Sequence, residues 1–224
     1  MQIESNKCGS ILHWSWTMTL SAVEVTNLKQ APAVEGVLPV FHKRWSARAF
    51  DDRDVNAPDL RKVFEAARWA ASANNEQPWR FLVGTRNSTT HEKLFECLVG
   101  FNKTWAGSAP VLILGVASNR FTHNGAANSY AMYDLGAASS YLTLQASALG
   151  LTTHQMAGYD HEAARRDLEI PEDYVLGSII AMGFQGEPQT LGNEQLIERE
   201  LAPRARKPLR ELVFSAWGKT AMLG

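Results

Sequence analysis

The sequence predicts one sheet carrying helices on both faces, and three observations predict it. Segments of helical and strand periodicity alternate irregularly along 224 residues, with no internal repeat and no low-complexity tract. Val111 to Ala117 is an unbroken apolar run of strand length introduced by Pro110, as in a buried strand. Ser129 to Leu149 is a long segment rich in Ala and Leu, and its small residues Gly136, Ala137, Ala138, Ser139 and Ser140 let another helix approach closely.

Taken in order, residues 1–39 read as an extension of uncertain role ahead of the domain. Ile11, Leu12, Trp14 and Trp16 follow Lys7 in a loose imitation of a signal peptide. His13, Ser15, Thr17 and Thr19 interrupt that apolar stretch, and Met18 offers an alternative start. Pro32, Gly36 and Pro39 mark a connector, so the domain is expected over residues 40–224. Pro58 opens a helix on which Leu60, Val63, Phe64, Ala67 and Ala71 share a face, ending near Ser72. Arg80 to Thr85 reads as a strand, and Thr90 to Val99 as a short helix with Leu94, Phe95 and Leu98 on one side. After the Val111 strand, polar residues Ser118 to Asn128 have the character of a lid ahead of the long helix, which Gly150 terminates. A strand over Leu151 to Met156, a helix capped by Asp160 and a strand over Val175 to Met182 complete the pattern.

Composition narrows the function. With 45% hydrophobic and 20% charged residues the chain has the make-up of a folded globular protein. The 22 basic and 23 acidic side chains leave a net charge of -1, which argues against a nucleic-acid binder or a partner of anionic membranes. Cys8 and Cys97 form no C-x-x-C pair, so neither a metal site nor a disulfide framework is indicated, and a reducing, cytoplasmic setting fits. The longest apolar run falls well short of the roughly 18 residues of a membrane span.

Four segments carry candidate chemistry. Arg44, Ser46 and Arg48, around Trp45, occupy alternate positions, so in extended backbone their side chains project from one face. Two guanidinium forks and a hydroxyl can cradle a phosphate through paired, charge-assisted hydrogen bonds; a solvated strand face is the plainer alternative. Arg204 and Arg206 alternate again within a basic cluster that includes Lys207 and Arg210, which could equally be a targeting or nucleic-acid tag or solvated charge. The loop Ser72-Ala73-Asn74-Asn75-Glu76-Gln77-Pro78-Trp79 can offer N–H groups and amides to a polar heterocycle, with Pro78 holding Gln77 extended; it could also be a simple helix-to-strand turn. Met156-Ala157-Gly158-Tyr159 puts backbone donors at a strand end, where Gly158 permits close approach. Nearby His154 reads as a packed or hydrogen-bonded residue before a catalytic one.

Familiar catalytic signatures are missing: there is no G-x-S-x-G, no H-E-x-x-H, and no G-x-G-x-x-G after a strand. Gly218-Lys219-Thr220 is a decoy, because Val213 stands where a phosphate-binding loop needs its first glycine.

In this order the segments resemble the nitroreductase family, over about Phe41 to Val213. Arg44-Trp45-Ser46-Ala47-Arg48-Ala49-Phe50 fits R-x-S-x-R-x-F, and Ser72 to Trp79 fits P-S-x-x-N-x-Q-P-W with Ala71 in place of its proline. Asn102-Lys103-Thr104-Trp105-Ala106, Tyr133-Asp134-Leu135-Gly136-Ala137-Ala138, Met156-Ala157-Gly158-Tyr159 and Pro203-Arg204-Ala205-Arg206-Lys207-Pro208-Leu209 add to the match. The resemblance implies an α+β fold, a mainly antiparallel mixed sheet flanked by helices, in an intertwined homodimer whose C-terminal tails wrap the partner. It implies FMN held without covalent attachment at the dimer interface. Arg44, Ser46, Arg204 and Arg206 would hold the phosphate, and Arg48 the pyrimidine side of the ring, favouring reduced flavin. Ser72, Ala73 and Asn74, with Asn75 and Gln77, would meet the flavin of the other subunit, and Ala157 and Gly158 would present N–H groups near N5. The implied mechanism is ping-pong transfer from NADH or NADPH through FMN to a small acceptor such as a nitroaromatic or quinone, with no amino-acid nucleophile. Other flavin reactions (dehalogenation, reduction of free flavin, flavin cleavage) and a non-enzymatic flavin-binding dimer are the alternatives.

Overall fold

The computed structural model describes residues 19–222. The signal-like stretch, the alternative start at Met18 and Cys8 lie outside the described residues. Ser21 opens helix α1, Ala22–Leu28, with a capping box: its side chain accepts from the Glu24 N–H while the Glu24 carboxylate accepts from the Ser21 N–H. Helix α2, Pro39–Lys43, follows, and helix α3, Ala57–Arg68, is capped by Asn56. Helix α3 stops four residues before Ser72. The Trp69 and Ala70 N–H groups bond three residues back, to Ala66 and Ala67, tightening the last turn and releasing the chain into a loop.

Strand β1, Trp79–Thr85, leads to helix α4, Thr89–Cys97, capped by Ser88, and to the single turn α5, Gly100–Lys103. Strand β2, Val111–Ser118, precedes the longest helix α6, Ala131–Ala148, after which Gly150 takes φ 78°. Strand β3, Thr152–Met156, helix α7, His161–Asp167, with Asp160 as cap, and strand β4, Tyr174–Gly183, follow. Helix α8, Glu194–Leu201, is capped by Asn193.

The four strands pair in the order β1-β2-β4-β3, every pairing antiparallel, with Ile113 opposite both Val83 and Ile180. Alternation along β2 and β4 divides the core in two. Leu112, Leu114, Ile179 and Ala181 pack with Leu94, Leu98, Ala164 and Leu196 of helices α4, α7 and α8 and the turn after α4. Ile113, Ala117, Ile180 and Met182 turn the other way, onto Val63 and Ala67 of α3 and Leu135, Ala138 and Leu142 of α6. Helices therefore cover both faces, and the antiparallel, helix-flanked α+β fold expected from the sequence is observed.

A third, small cluster joins Val25 of α1 to Trp45, Ala47, Leu20 and Leu201. It seats the N-terminal helix beside the end of α8. At the other end of the chain, strands β5, Phe214–Ala216, and β6, Lys219–Thr220, form a hairpin turning at Trp217 and Gly218, where Gly218 takes φ 74°. The decoy Gly218-Lys219-Thr220 is thus the end of a hairpin turn and the strand that follows it. Trp217 at its tip is 97% exposed. Among the described residues no helix is long and apolar enough to cross a membrane.

Candidate functional site

The expected alternation after α2 is realised: Trp45, Ala47 and Ala49 are buried, while Arg44, Ser46 and Arg48 face the other way. Two features hold this segment in place. Trp45 and Ala47 are gripped by Val25, and the carboxylate of Glu200, fully buried on α8, accepts the N–H of Arg48 at 2.9 Å and of Ala49 at 3.1 Å. The polypeptide after α8 then returns along the same side. Arg204 donates to the carbonyls of Lys29 at 2.7 Å and His42 at 2.9 Å, which fixes the Pro203 to Arg206 stretch against α1 and α2.

These contacts enclose a cleft of about 230 Å³ lined by Arg44, Trp45, Ser46, Arg48, Arg204 and Arg206, with Lys29, Arg199, Ala202 and Pro203. Six cationic side chains therefore face one space. Glu200 is the only carboxylate among the described residues that pairs with any of them, 3.8 Å from the Arg48 guanidinium. Burial, then Arg204 and Arg206, push the Arg44 pKa down; burial and Arg206 do the same to Arg204. Arginine stays charged at neutral pH, so these shifts register charge held away from water and, beside it, mutual repulsion, both of which an anion would relieve. Arg48 is lowered by burial and Arg199, opposed by Glu200, and its buried Nε has no hydrogen-bond partner among the described residues. A buried donor in that condition is costly unless a ligand meets it.

The strand-end residues lie on a neighbouring surface. Met156 is buried in the core, whereas Ala157 lines a separate pocket of about 310 Å³ with Met132, Gly136, Gln155 and Ser178. The Gly158 carbonyl accepts from Asn102 Nδ2 at 3.1 Å, and a Cβ on Gly158 would sit 2.8 Å from that nitrogen. His154 is a structural residue here: Nδ1 bonds the Ala47 carbonyl at 3.0 Å and the ring packs on Trp105, 4.7 Å between centroids. Burial, with Arg48 beside it, pushes its pKa down to about 4, so it is neutral at pH 7.

Ser72, Ala73, Asn74, Asn75 and Gln77 do not join the cationic cleft within one chain. They form a tight turn in which Asn74, Asn75 and Gln77 take φ of 53°, 55° and 51°. Gln77 departs from the extended conformation expected before Pro78. Its N–H is drawn to Ser72 Oγ at 3.0 Å and its amide to the Asn75 carbonyl at 2.9 Å, and these bonds hold the residue at positive φ. The Ala73 N–H donates to the buried Asp134 carboxylate at 3.1 Å, tying the turn to α6. Glu76 accepts from the Thr122 N–H and hydroxyl, so the Ser118 to Asn128 segment, closed by an Arg120 to Ala127 bridge, is moored to the same turn.

The description "Nitroreductase family" fits residues 42–103 and 98–184. The chain belongs to the nitroreductase family of oxidoreductases. A family relative from Archaeoglobus fulgidus, named a putative NADH dehydrogenase/NAD(P)H nitroreductase, is 30% identical over 156 residues, 67% of this chain and 86% of its own. A crystal structure described as an oxidoreductase containing FMN is similar with a TM-score of 0.76 and 32% identity, covering 82% of this chain and 93% of its own. An FMN-dependent nitroreductase from Clostridium difficile R20291 is 27% identical with a TM-score of 0.55, covering 65% and 85%.

Within this nitroreductase fold the structure adds residues that local sequence patterns did not single out. Lys29, Arg199 and Glu200 each touch the candidate site or its supports. Two signals for them exist in the sequence: the capping box Ser21-Ala22-Val23-Glu24, which announces α1, and Asn193 ahead of Leu196, Ile197 and Leu201, which announces α8.

Proposed function

We propose that this chain is an FMN-dependent oxidoreductase acting as a homodimer, which takes reducing equivalents from NADH or NADPH and passes them to a small organic acceptor such as a nitroaromatic or quinone by a ping-pong mechanism. The observation that carries the reading is the cationic cleft, where Arg44, Ser46, Arg204 and Arg206 converge from opposite ends of the chain beside the Arg48 Nε, which has no hydrogen-bond partner among the described residues. The donor set fits a flavin mononucleotide: a dianionic phosphate suits the four converging groups, and a planar polar ring suits Arg48. When bound, FMN supplies the electron transfer, accepting hydride from the nicotinamide and delivering electrons to the acceptor.

The protein's own part is to bind, orient and exclude. Arg44, Ser46, Arg204 and Arg206 hold the phosphate. Arg48, fixed by Glu200, presents a positive charge to the pyrimidine side. Ala157 and Gly158 offer backbone N–H groups at the ring, and the missing side chain of Gly158 lets Asn102 close against this strand end and hold it. Neutral His154 supports the floor without moving a proton.

Dimerisation is supported by surfaces that one chain leaves uncovered. Helix α6 buries Leu135, Ala138 and Leu142 on one side yet exposes Met132, Tyr133 and Tyr141 on the other, so it lacks a polar face. Leu38, Phe41 and Trp217 are exposed as well. In this reading Ser72 to Gln77 reach the partner's flavin, and the C-terminal tail wraps the partner.

The direct test is FMN titration of the apoprotein with Arg204 and Arg206 both changed to Ala. Charge-assisted hydrogen bonds of about 1.5–3 kcal/mol each predict at least a hundredfold loss of affinity, allowing for partial compensation by Arg44. Unchanged affinity would refute the assignment.

A further inference from the structure

The cleft holds more positive charge than the sequence motifs supply, and part of it comes from Lys29, which precedes the family match that starts at residue 42. We infer that Lys29, delivered by helix α1, is an additional phosphate-binding residue of the FMN site. The inference rests on the FMN reading above.

Helix α1 is fixed to the cleft wall. Val25 is fully buried against Trp45, Ala47 and Leu201, so Lys29, directly after α1, has a defined position. Its side chain is held too. Lys29 is 3% exposed, its Nζ donates to the Ala202 carbonyl, and that nitrogen lies 4.8 Å from the centroid of the Trp45 ring. An ammonium has three N–H donors, and Ala202 takes one.

No carboxylate forms an ion pair with Lys29 among the described residues. Burial pushes its pKa down, Glu200 raises it, and Arg48 and Arg204 lower it further. A buried cation among other cations is destabilising unless an anion sits beside it. A neutral amide could satisfy the Ala202 carbonyl without that cost, so the charge itself calls for a use, and the cleft it lines supplies one.

The same residue acts twice. Its carbonyl accepts from Arg204 at 2.7 Å and so aims a guanidinium already assigned to the phosphate, while its ammonium adds charge to the same wall. The N-terminal segment therefore belongs to the cofactor site as well as flanking it.

The test compares FMN with riboflavin, which shares the ring and ribityl chain but lacks the phosphate. Full-length apoprotein, its Lys29→Gln variant and its Arg206→Ala variant are titrated with each flavin, following flavin fluorescence. Glutamine keeps a donor for the Ala202 carbonyl and removes the charge. Lys29→Gln should weaken FMN binding about tenfold, the lower end for a charge-assisted contact, and leave riboflavin within about twofold. The dependence of FMN affinity on salt should become shallower. Equal loss for both flavins would make Lys29 a packing residue and overturn the inference, as would unchanged FMN affinity. Should Lys29→Gln not fold, Lys29→Met, which keeps the stem against Trp45, is read in the same way; failure of both to fold assigns Lys29 a structural role and also overturns it. Arg206→Ala separates the two levels: if it spares FMN binding, the FMN reading itself fails, whereas FMN loss in Arg206→Ala alone removes only the role of Lys29.

Discussion

Replacing Glu200 by Ala should be among the most damaging single changes to this fold, although no expected ligand contact is removed. Its carboxylate is fully buried, accepts the Arg48 and Ala49 N–H groups at 2.9 and 3.1 Å, and faces the Arg48 guanidinium at 3.8 Å. Neither N–H is donated elsewhere among the described residues. Each buried N–H left without an acceptor costs about 1–3 kcal/mol, so two of them and a vacated side-chain volume predict a loss of about 4 kcal/mol. The Arg48 ion pair adds less, because the guanidinium is partly exposed. Glu200→Gln keeps one acceptor oxygen and should lose only about 1–2 kcal/mol. Urea unfolding of the apoproteins at one fixed protein concentration reads both values, provided the slope against urea is unchanged. An Ala variant within 1 kcal/mol of the parent would show that the Arg48 to Ala49 segment is held by something other than Glu200.

His154 gives a pH prediction with a definite sign. Its folded pKa, about 4, lies below the 6.5 of an ordinary imidazole, so the unfolded chain binds the extra proton first. Stability is therefore full above pH 6.5 and falls as pH drops toward 4, by about 3 kcal/mol in total. His154→Gln should flatten that part of the stability-pH curve, and a variant curve parallel to the parent's would contradict the assignment. Gly158→Ala sets a Cβ 2.8 Å from Asn102 Nδ2 and should cost about 1–2 kcal/mol. Adding Asn102→Ala, which removes the obstacle, should make the pair less damaging than the sum of the two, as a double-mutant cycle by thermal unfolding would read.

Much of the fold was legible because its signals are local. Helix α6 and strands β2 and β4 announce themselves by length and apolar run, and Asn56, Ser88 and Asp160 cap helices within a few residues of where periodicity begins. Arg44, Ser46 and Arg48 were legible for the same reason, since alternation is a property of neighbours. Arg204 and Arg206 were legible in the same way, but Lys29, Arg199 and Glu200 were hidden, because what ties them to the cleft is distant in the chain. Glu200 meets Arg48 across 152 positions and Lys29 meets Ala202 across 173. Gln77 shows the limit of a local rule, for the restriction imposed by Pro78 yields to hydrogen bonds with Ser72 and Asn75. Helices α1 and α8 carried readable caps, but their short apolar stripes gave periodicity too little length to stand out.

A flavin in the cationic cleft, reduced by a nicotinamide donor, would show itself in the visible spectrum. That spectrum is recorded anaerobically on the purified full-length protein before and after adding NADH and NADPH in separate cuvettes. The expected result is a flavin spectrum, intrinsic or restored by added FMN, that bleaches with at least one donor. A colourless protein that ignores FMN, or a bound flavin that neither donor bleaches, would contradict it.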